Sequence, residues 1–147
     1  MNILMLLRKA KYVVGWIYTA FPLRSEFGAC AKNVQLNYPV RVTTPKTVFI
    51  QENCRIQHDV SIINSATEKV VIKKYSVITA HNTIVPGNHI STVSIPQFLL
   101  GASHINDKST DIIVEEDCWV GTGSILLAGT HLGRGCIIGA GGSEEQT

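Results

Sequence analysis

The sequence predicts an all-β protein: a β-helix of hexapeptide coils, with an N-terminal helix and one extruded loop. Three observations predict it. A branched aliphatic residue falls at Val114, Val120, Leu126, Leu132 and Ile138, a period of six. Glycine follows three of these, at Gly121, Gly133 and Gly139. A small residue sits four positions after each, at Cys118, Ser124, Thr130, Cys136 and Gly142. Neither the helical period of about 3.6 nor the strand period of about 2 gives this spacing alone. A chain that turns a corner every six residues does. Three such sides close a coil of about 18 residues, and coils stack into a prism, which is the signature of a β-helix.

The N-terminal helix is read from residues 2–23. Asn2-Ile-Leu-Met-Leu-Leu7 precedes a basic cluster, Arg8, Lys9 and Lys11, and the uncharged run Tyr12–Leu23 follows. That run is too short to span a bilayer as a helix. Arg24-Ser-Glu26 comes directly after it, where a signal peptide would need a small-residue cleavage site. The order of readings is a helix capping the end of the prism, then a helix at a membrane surface, then a cleaved signal. Pro22 ends the helix, because proline cannot continue a helix interior. The expected division is therefore 1–24 for the helix and 34–147 for the coiled domain.

From Val34 the period returns. Leu36, Val42 and Val48 are six apart, with Pro39 and Pro45 disturbing the coil. The frame then slips by two to Ile50, Ile56 and Ile62. Residues 63–71 carry a four-residue insertion before Ile72, Ile78, Ile84 and Ile90 resume. Residues 91–113 keep no hexad frame. A stretch this long inside a compact domain is usually functional or disordered, and Phe98, Leu99 and Leu100 need a surface to cover. The expectation is an extruded loop whose apolar middle packs on a neighbouring subunit.

Bulk properties narrow the function. The chain has 147 residues, 45% of them apolar, and a formal net charge of +2. One domain with a core follows, and nucleic acid is a poor partner without a basic, aromatic-interleaved cluster. The four cysteines form no C-x-x-C pair; Cys54, Cys118 and Cys136 fall on small inward positions of the hexads. A reducing, cytoplasmic location fits that usage.

The closing hexads carry a resemblance. Asp117-Cys-Trp119-Val-Gly-Thr-Gly123, Ala128-Gly-Thr-His-Leu-Gly-Arg-Gly135 and Ile137-Ile-Gly-Ala-Gly141 resemble those of the hexapeptide-repeat acyltransferases. The extruded loop with Asn88-His89 at its mouth is similar to the galactoside, maltose and streptogramin O-acetyltransferase branch, and most of all to the sugar O-acetyltransferases of bacterial surface-polysaccharide synthesis. The resemblance implies a left-handed parallel β-helix that assembles as a homotrimer and takes acetyl-CoA as co-substrate between two prisms, with no metal. It implies His89 as general base, and Asn88 beside it at the acceptor. It also implies that Thr122 and Ala140 contact the thioester arm, with Trp119 beside the same groove. Members of the family continue past Ile-Gly-Ala-Gly with aliphatics, lysines, a proline-rich segment and a final Gly-x-Pro-Ala turn. This sequence diverges at Gly142 and stops at Thr147, so the resemblance implies a C-terminally truncated coenzyme groove.

The chemistry asks little of the protein. A hydroxyl must be held near the thioester carbonyl and lose its proton as it attacks, while a donor steadies the oxyanion. Histidine suits the proton step. Of His58, His81, His89, His104 and His131, His89 is favoured because the coil breaks there. His104 sits in the loop with Asp107 nearby, placed to reach the acceptor. His131 and His58 flank aliphatic or branched positions and should point outward; His81 lies in a regular coil and is structural or a groove residue. The zinc carbonic anhydrases that share the fold need three converging histidines, two of them five apart. The histidine gaps here, 23, 8, 15 and 27, do not supply that set. A non-catalytic scaffold, and an acetyltransferase acting on an antibiotic, serine or amino sugar, remain the alternatives.

Overall fold

The computed structural model describes residues 3–87, 94–100 and 110–144. Asn88, His89 and His104 lie outside the described residues, as does Ile90 of the expected frame. Among the described residues, fifteen short strands form three five-stranded parallel sheets. Sheet A holds β1 (Ala29–Cys30), β4 (Val48–Ile50), β7 (Val70–Ile72), β10 (Ile112–Val114) and β13 (His131–Leu132). Sheet B holds β2 (Gln35–Leu36), β5 (Arg55–Ile56), β8 (Val77–Ile78), β11 (Trp119–Val120) and β14 (Ile137–Ile138). Sheet C holds β3 (Val40–Val42), β6 (Val60–Ile62), β9 (Thr83–Val85), β12 (Ile125–Leu127) and β15 (Ser143–Glu144). Successive strands visit A, B and C in turn, so each circuit is one coil of a left-handed β-helix.

The strand register shows why the hexad was readable and where it was not. Inward residues stack as Cys30, Ile50, Ile72, Val114 and Leu132 in sheet A. The differences are 50 − 30 = 20, 72 − 50 = 22, 114 − 72 = 42 and 132 − 114 = 18. Sheets B and C show that the surplus always falls in the corner from C to A, since Leu36, Ile56, Ile78, Val120 and Ile138 each come six after their sheet A partner. Two corners are thus held at a strict six, and the third absorbs every insertion. Val42 is followed in frame by Ile50 rather than by the expected Val48, because the short turn at Pro45–Thr47 occupies that corner. Val48 is buried as well, as the other inward residue of its strand. The coil resumes at Ile112, two residues before Val114, and the first strand precedes Val34.

The core is a column of branched side chains with no exposed surface: Ile72, Ile78, Ile84, Ile112, Val114, Val120 and Leu126 are all 0% exposed. Each contributes about 1.5–3 kcal/mol by leaving water. The small position four after each aliphatic turns inward too, at Cys54, Ser76, Asn82, Cys118 and Ser124. The described cysteines are free thiols. Burial pushes the Cys118 thiol up, and its Sγ–H donates to the Gly133 carbonyl at 3.2 Å.

Helix α1 (Ile3–Ala20) joins the prism by its C-terminal turn. Ala20 is buried, Trp16 meets Phe21 edge-on at 6.2 Å, and Phe21 leans on Tyr38 at 5.5 Å. The Arg41 guanidinium of β3 lies over the Trp16 ring at 5.8 Å, a cation–π contact. Tyr38 donates from its hydroxyl to the Pro22 carbonyl at 2.7 Å, and Arg24 donates to the carbonyls of Ala31 and Val34. The helix touches the first coil at β3 through its last turn, and its apolar stripe of Ile3, Leu6, Leu7, Val13, Val14 and Ile17 stays exposed. No helix among the described residues is long and apolar enough to cross a membrane. A second helix, α2 (Gln97–Leu100), lies in the loop, and its Phe98 is 95% exposed.

Candidate active site

The corner from sheet B to sheet C repeats one backbone conformation from coil to coil. Its left-handed position recurs at Asp59 (φ 58°), His81 (φ 61°), Gly123 (φ 72°) and Gly141 (φ 69°). One amide per coil links the corners. The N–H of Asp59 donates to the Pro39 carbonyl, that of His81 to His58, that of Gly123 to Ala80, and that of Gly141 to Thr122. A ladder of corner positions results, running from the exposed His58 through the buried Ala80 to the exposed Thr122 and Ala140. Thr122 and Ala140 are adjacent rungs, both exposed, with the Gly141 N–H 2.9 Å from the Thr122 carbonyl. The structure therefore brings these two expected coenzyme residues together.

Gly121 makes that closeness possible. A Cβ there would lie 2.6 Å from the Ala140 nitrogen and 2.7 Å from the Gly139 carbon and the Ile138 oxygen. These are backbone atoms of the next coil, so no side chain can turn aside. The wall is braced from inside by a buried polar chain. The Asn82 amide donates to the carbonyls of Thr79 (2.9 Å) and Val120 (3.3 Å), and its oxygen accepts the Ser124 N–H at 2.6 Å. Ser124 donates from its hydroxyl to the Gly121 carbonyl at 2.8 Å, and Thr79 to the Val120 carbonyl at 2.6 Å. Buried groups without such partners would be costly.

Trp119 opens β11 three residues before Thr122 and points outward from sheet B. It sits between Val77 and Ile137 in register, and is 47% exposed while Ile137 is 75% exposed. Trp119 and Ile137 thus form an uncovered apolar stripe beside the Thr122–Ala140 wall. The chain leaves the described coil at Gly87, after β9, at the corner from C to A. That is the far end of sheet C from this wall.

The histidines divide as follows. His131, exposed on sheet A, lies with its Nε2 3.1 Å from the Glu115 carboxylate, which also binds the Lys73 ammonium at 2.8 Å. The Lys73 hydrogen bond, seconded by His131, holds the Glu115 carboxyl below its ordinary value. His58 and His81 occupy successive coils of the wall's own corner, with ring centroids 5.3 Å apart and planes at 89°. Between them is the Asp59 carboxylate, 3.0 Å from the Nδ1 of His58 and 3.9 Å from the Nδ1 of His81. His58 above all, with His81 and Arg41, holds the Asp59 carboxyl below its ordinary value against the effect of burial. Histidine gaps counted along the chain hid this group. Counted in coils of 22 residues, His81 falls directly over Asp59.

Comparison with known proteins agrees with the geometry. The "Bacterial transferase hexapeptide (six repeats)" family profile matches residues 111–141. WcaF of Escherichia coli K12, named as a candidate colanic acid biosynthesis acetyltransferase, is 25% identical over 123 residues, covering 84% of this chain and 62% of its own. YJL218W of Saccharomyces cerevisiae, named as a candidate acetyltransferase, is 23% identical over 119 residues, covering 81% of this chain and 57% of its own. The chain thus spans about three-fifths of the length of these relatives. The crystal structure of the hexapeptide-repeat-containing acetyltransferase VCA0836 from Vibrio cholerae superposes with a TM-score of 0.73 at 18% identity, over 99% of this chain and 83% of that one. The repeat, the three-sheet coil and these likenesses together show this chain's resemblance to the hexapeptide-repeat acyltransferases.

Proposed function

We propose that the protein is an acetyltransferase that moves the acetyl group of acetyl-CoA to a hydroxyl of a sugar or polysaccharide precursor. The observation that carries this reading is the exposed pair Thr122 and Ala140, stacked one coil apart on a rigid corner beside Trp119. The named activities of WcaF, YJL218W and VCA0836 support it. His89 takes the proton of the acceptor hydroxyl. The hydroxyl oxygen forms its bond to the thioester carbonyl carbon, the carbon–sulfur bond breaks, and the proton passes from His89 to the departing thiolate. Asn88 and His104 hold the acceptor. No metal takes part in the transfer.

The distance between corners argues for an assembly. The chain departs toward His89 from the C-to-A corner, whereas Thr122 and Ala140 lie on the B-to-C corner. A homotrimer brings the first corner of one copy to the second corner of its neighbour, and covers Phe98, Leu99, Trp119 and Ile137. The enzyme works in the cytoplasm, where acetyl-CoA is made. The exposed apolar face and basic residues of α1 fit weak contact with a membrane surface. Titration calorimetry with acetyl-CoA tests the wall: Thr122→Trp and Ala140→Trp each weaken binding at least ~10-fold, the equivalent of about 1.4 kcal/mol. Unaltered affinity in both variants contradicts the placement.

A further inference from the structure

The corner that carries the wall also carries, two coils lower, a group that the transfer reaction does not use. His58, Asp59 and His81 each offer one ligand atom, and these atoms lie within 4.8 Å of one another. Tetrahedral zinc with bonds of about 2.0–2.1 Å sets its donor atoms roughly 3.4 Å apart. The separations of 3.0 Å and 3.9 Å from the Asp59 oxygen to the two Nδ1 atoms bracket that value. The two rings stand edge to face, with centroids 5.3 Å apart and planes at 89°.

The backbone holds two of the three ligands in place. Asp59 and His81 both occupy the left-handed position that Gly123 and Gly141 fill higher on the same corner. The charge balance is also suitable. Asp59 offers a carboxylate oxygen beside the two imidazoles, and the nearby Arg41 guanidinium is turned onto the Trp16 ring. We propose that His58, Asp59 and His81 form a binding site for one divalent transition-metal ion of the zinc type, completed by water. Two imidazoles with one carboxylate favour zinc, cobalt or nickel over magnesium or calcium, which prefer all-oxygen shells. The ion ties two successive coils together at the foot of the corner. The site stands on its own residues, independent of the acetyl-transfer reading.

The test is equilibrium dialysis of the full chain, stripped with chelator, against zinc chloride and against magnesium chloride. The expected result is one zinc per chain, no magnesium, and a rise in melting temperature on zinc binding. His58→Ala and His81→Ala each weaken zinc at least ~10-fold. Asp59→Asn, which preserves shape, does the same. His131→Ala, outside the group, leaves affinity unchanged. The cobalt-substituted protein shows no thiolate-to-metal absorption band. Zinc uptake that survives both histidine substitutions in folded protein, a thiolate band from cobalt, or no zinc uptake at all overturns the proposal.

Discussion

Replacing Gly121 by alanine probes both the packing of the coils and the wall built on it. The added Cβ meets three backbone atoms of the next coil at 2.6–2.7 Å. Ordinary contact starts near 3.4 Å, so the coils must part locally by roughly 0.7–0.8 Å. The bonds from Gly121 N–H to the Ile138 carbonyl and from Gly141 N–H to the Thr122 carbonyl, each 2.9 Å, would stretch to roughly 3.6 Å. That is beyond the usual range of about 2.7–3.2 Å. Two lost bonds at about 1 kcal/mol each, with about 1–3 kcal/mol of overpacking, give a loss of roughly 3–5 kcal/mol. For a domain of this size the melting temperature falls by roughly 6–20 °C. Circular dichroism on heating reads it, and calorimetry with acetyl-CoA reads the displaced rungs. The control is Gly133→Ala, where a Cβ meets nothing within 4 Å; that change is neutral or stabilises by about 0.4–1 kcal/mol. A Gly121→Ala protein that melts with the unsubstituted chain refutes the coil-contact argument.

Two other substitutions test the support of the site. Asn82→Ala removes the 2.6 Å acceptor of the fully buried Ser124 N–H and leaves it only the longer bond of 3.3 Å to the Gly121 carbonyl. It should cost about 1–2 kcal/mol in denaturant unfolding, and an unchanged midpoint would contradict the bracing role. Glu115→Gln tests the Lys73–Glu115–His131 group. Because the folded carboxyl titrates below its ordinary value, its contribution is complete above about pH 4.3 and is lost as pH falls through the lowered value. The melting-temperature gap between the unsubstituted chain and Glu115→Gln should therefore be steady near neutrality and close on acidification. A gap that widens toward acid pH would contradict the sign.

Residues 114–142 made the fold legible because two corners of every coil hold a strict six, so inward aliphatics fall in step. Earlier coils were harder to follow for one physical reason. The C-to-A corner lies at the surface and takes extra residues at low cost, two at Pro45, four in 63–69 and 24 in the loop. That shifts the frame without disturbing the stack, and it set Val48 where Ile50 belongs. Thr122 and Ala140 were legible as a pair since no insertion separates them. Asp59 and His81 were not, because four inserted residues hide their shared corner. Asn82 read as a small inward residue, and its bracing of Ser124 shows only in three dimensions. His89 and its loop keep no period for spacing to reveal.

The most direct test of the proposed function is thiol release from acetyl-CoA across a panel of sugar acceptors, for the unsubstituted chain and His89→Ala, with coenzyme affinity measured alongside. The account predicts acceptor-dependent release by the unsubstituted protein. It predicts a loss of at least ~100-fold in His89→Ala, with acetyl-CoA affinity and assembly state retained. Equal turnover by the two proteins would contradict the assignment of the base, and no acetyl-CoA binding by either would contradict the function itself.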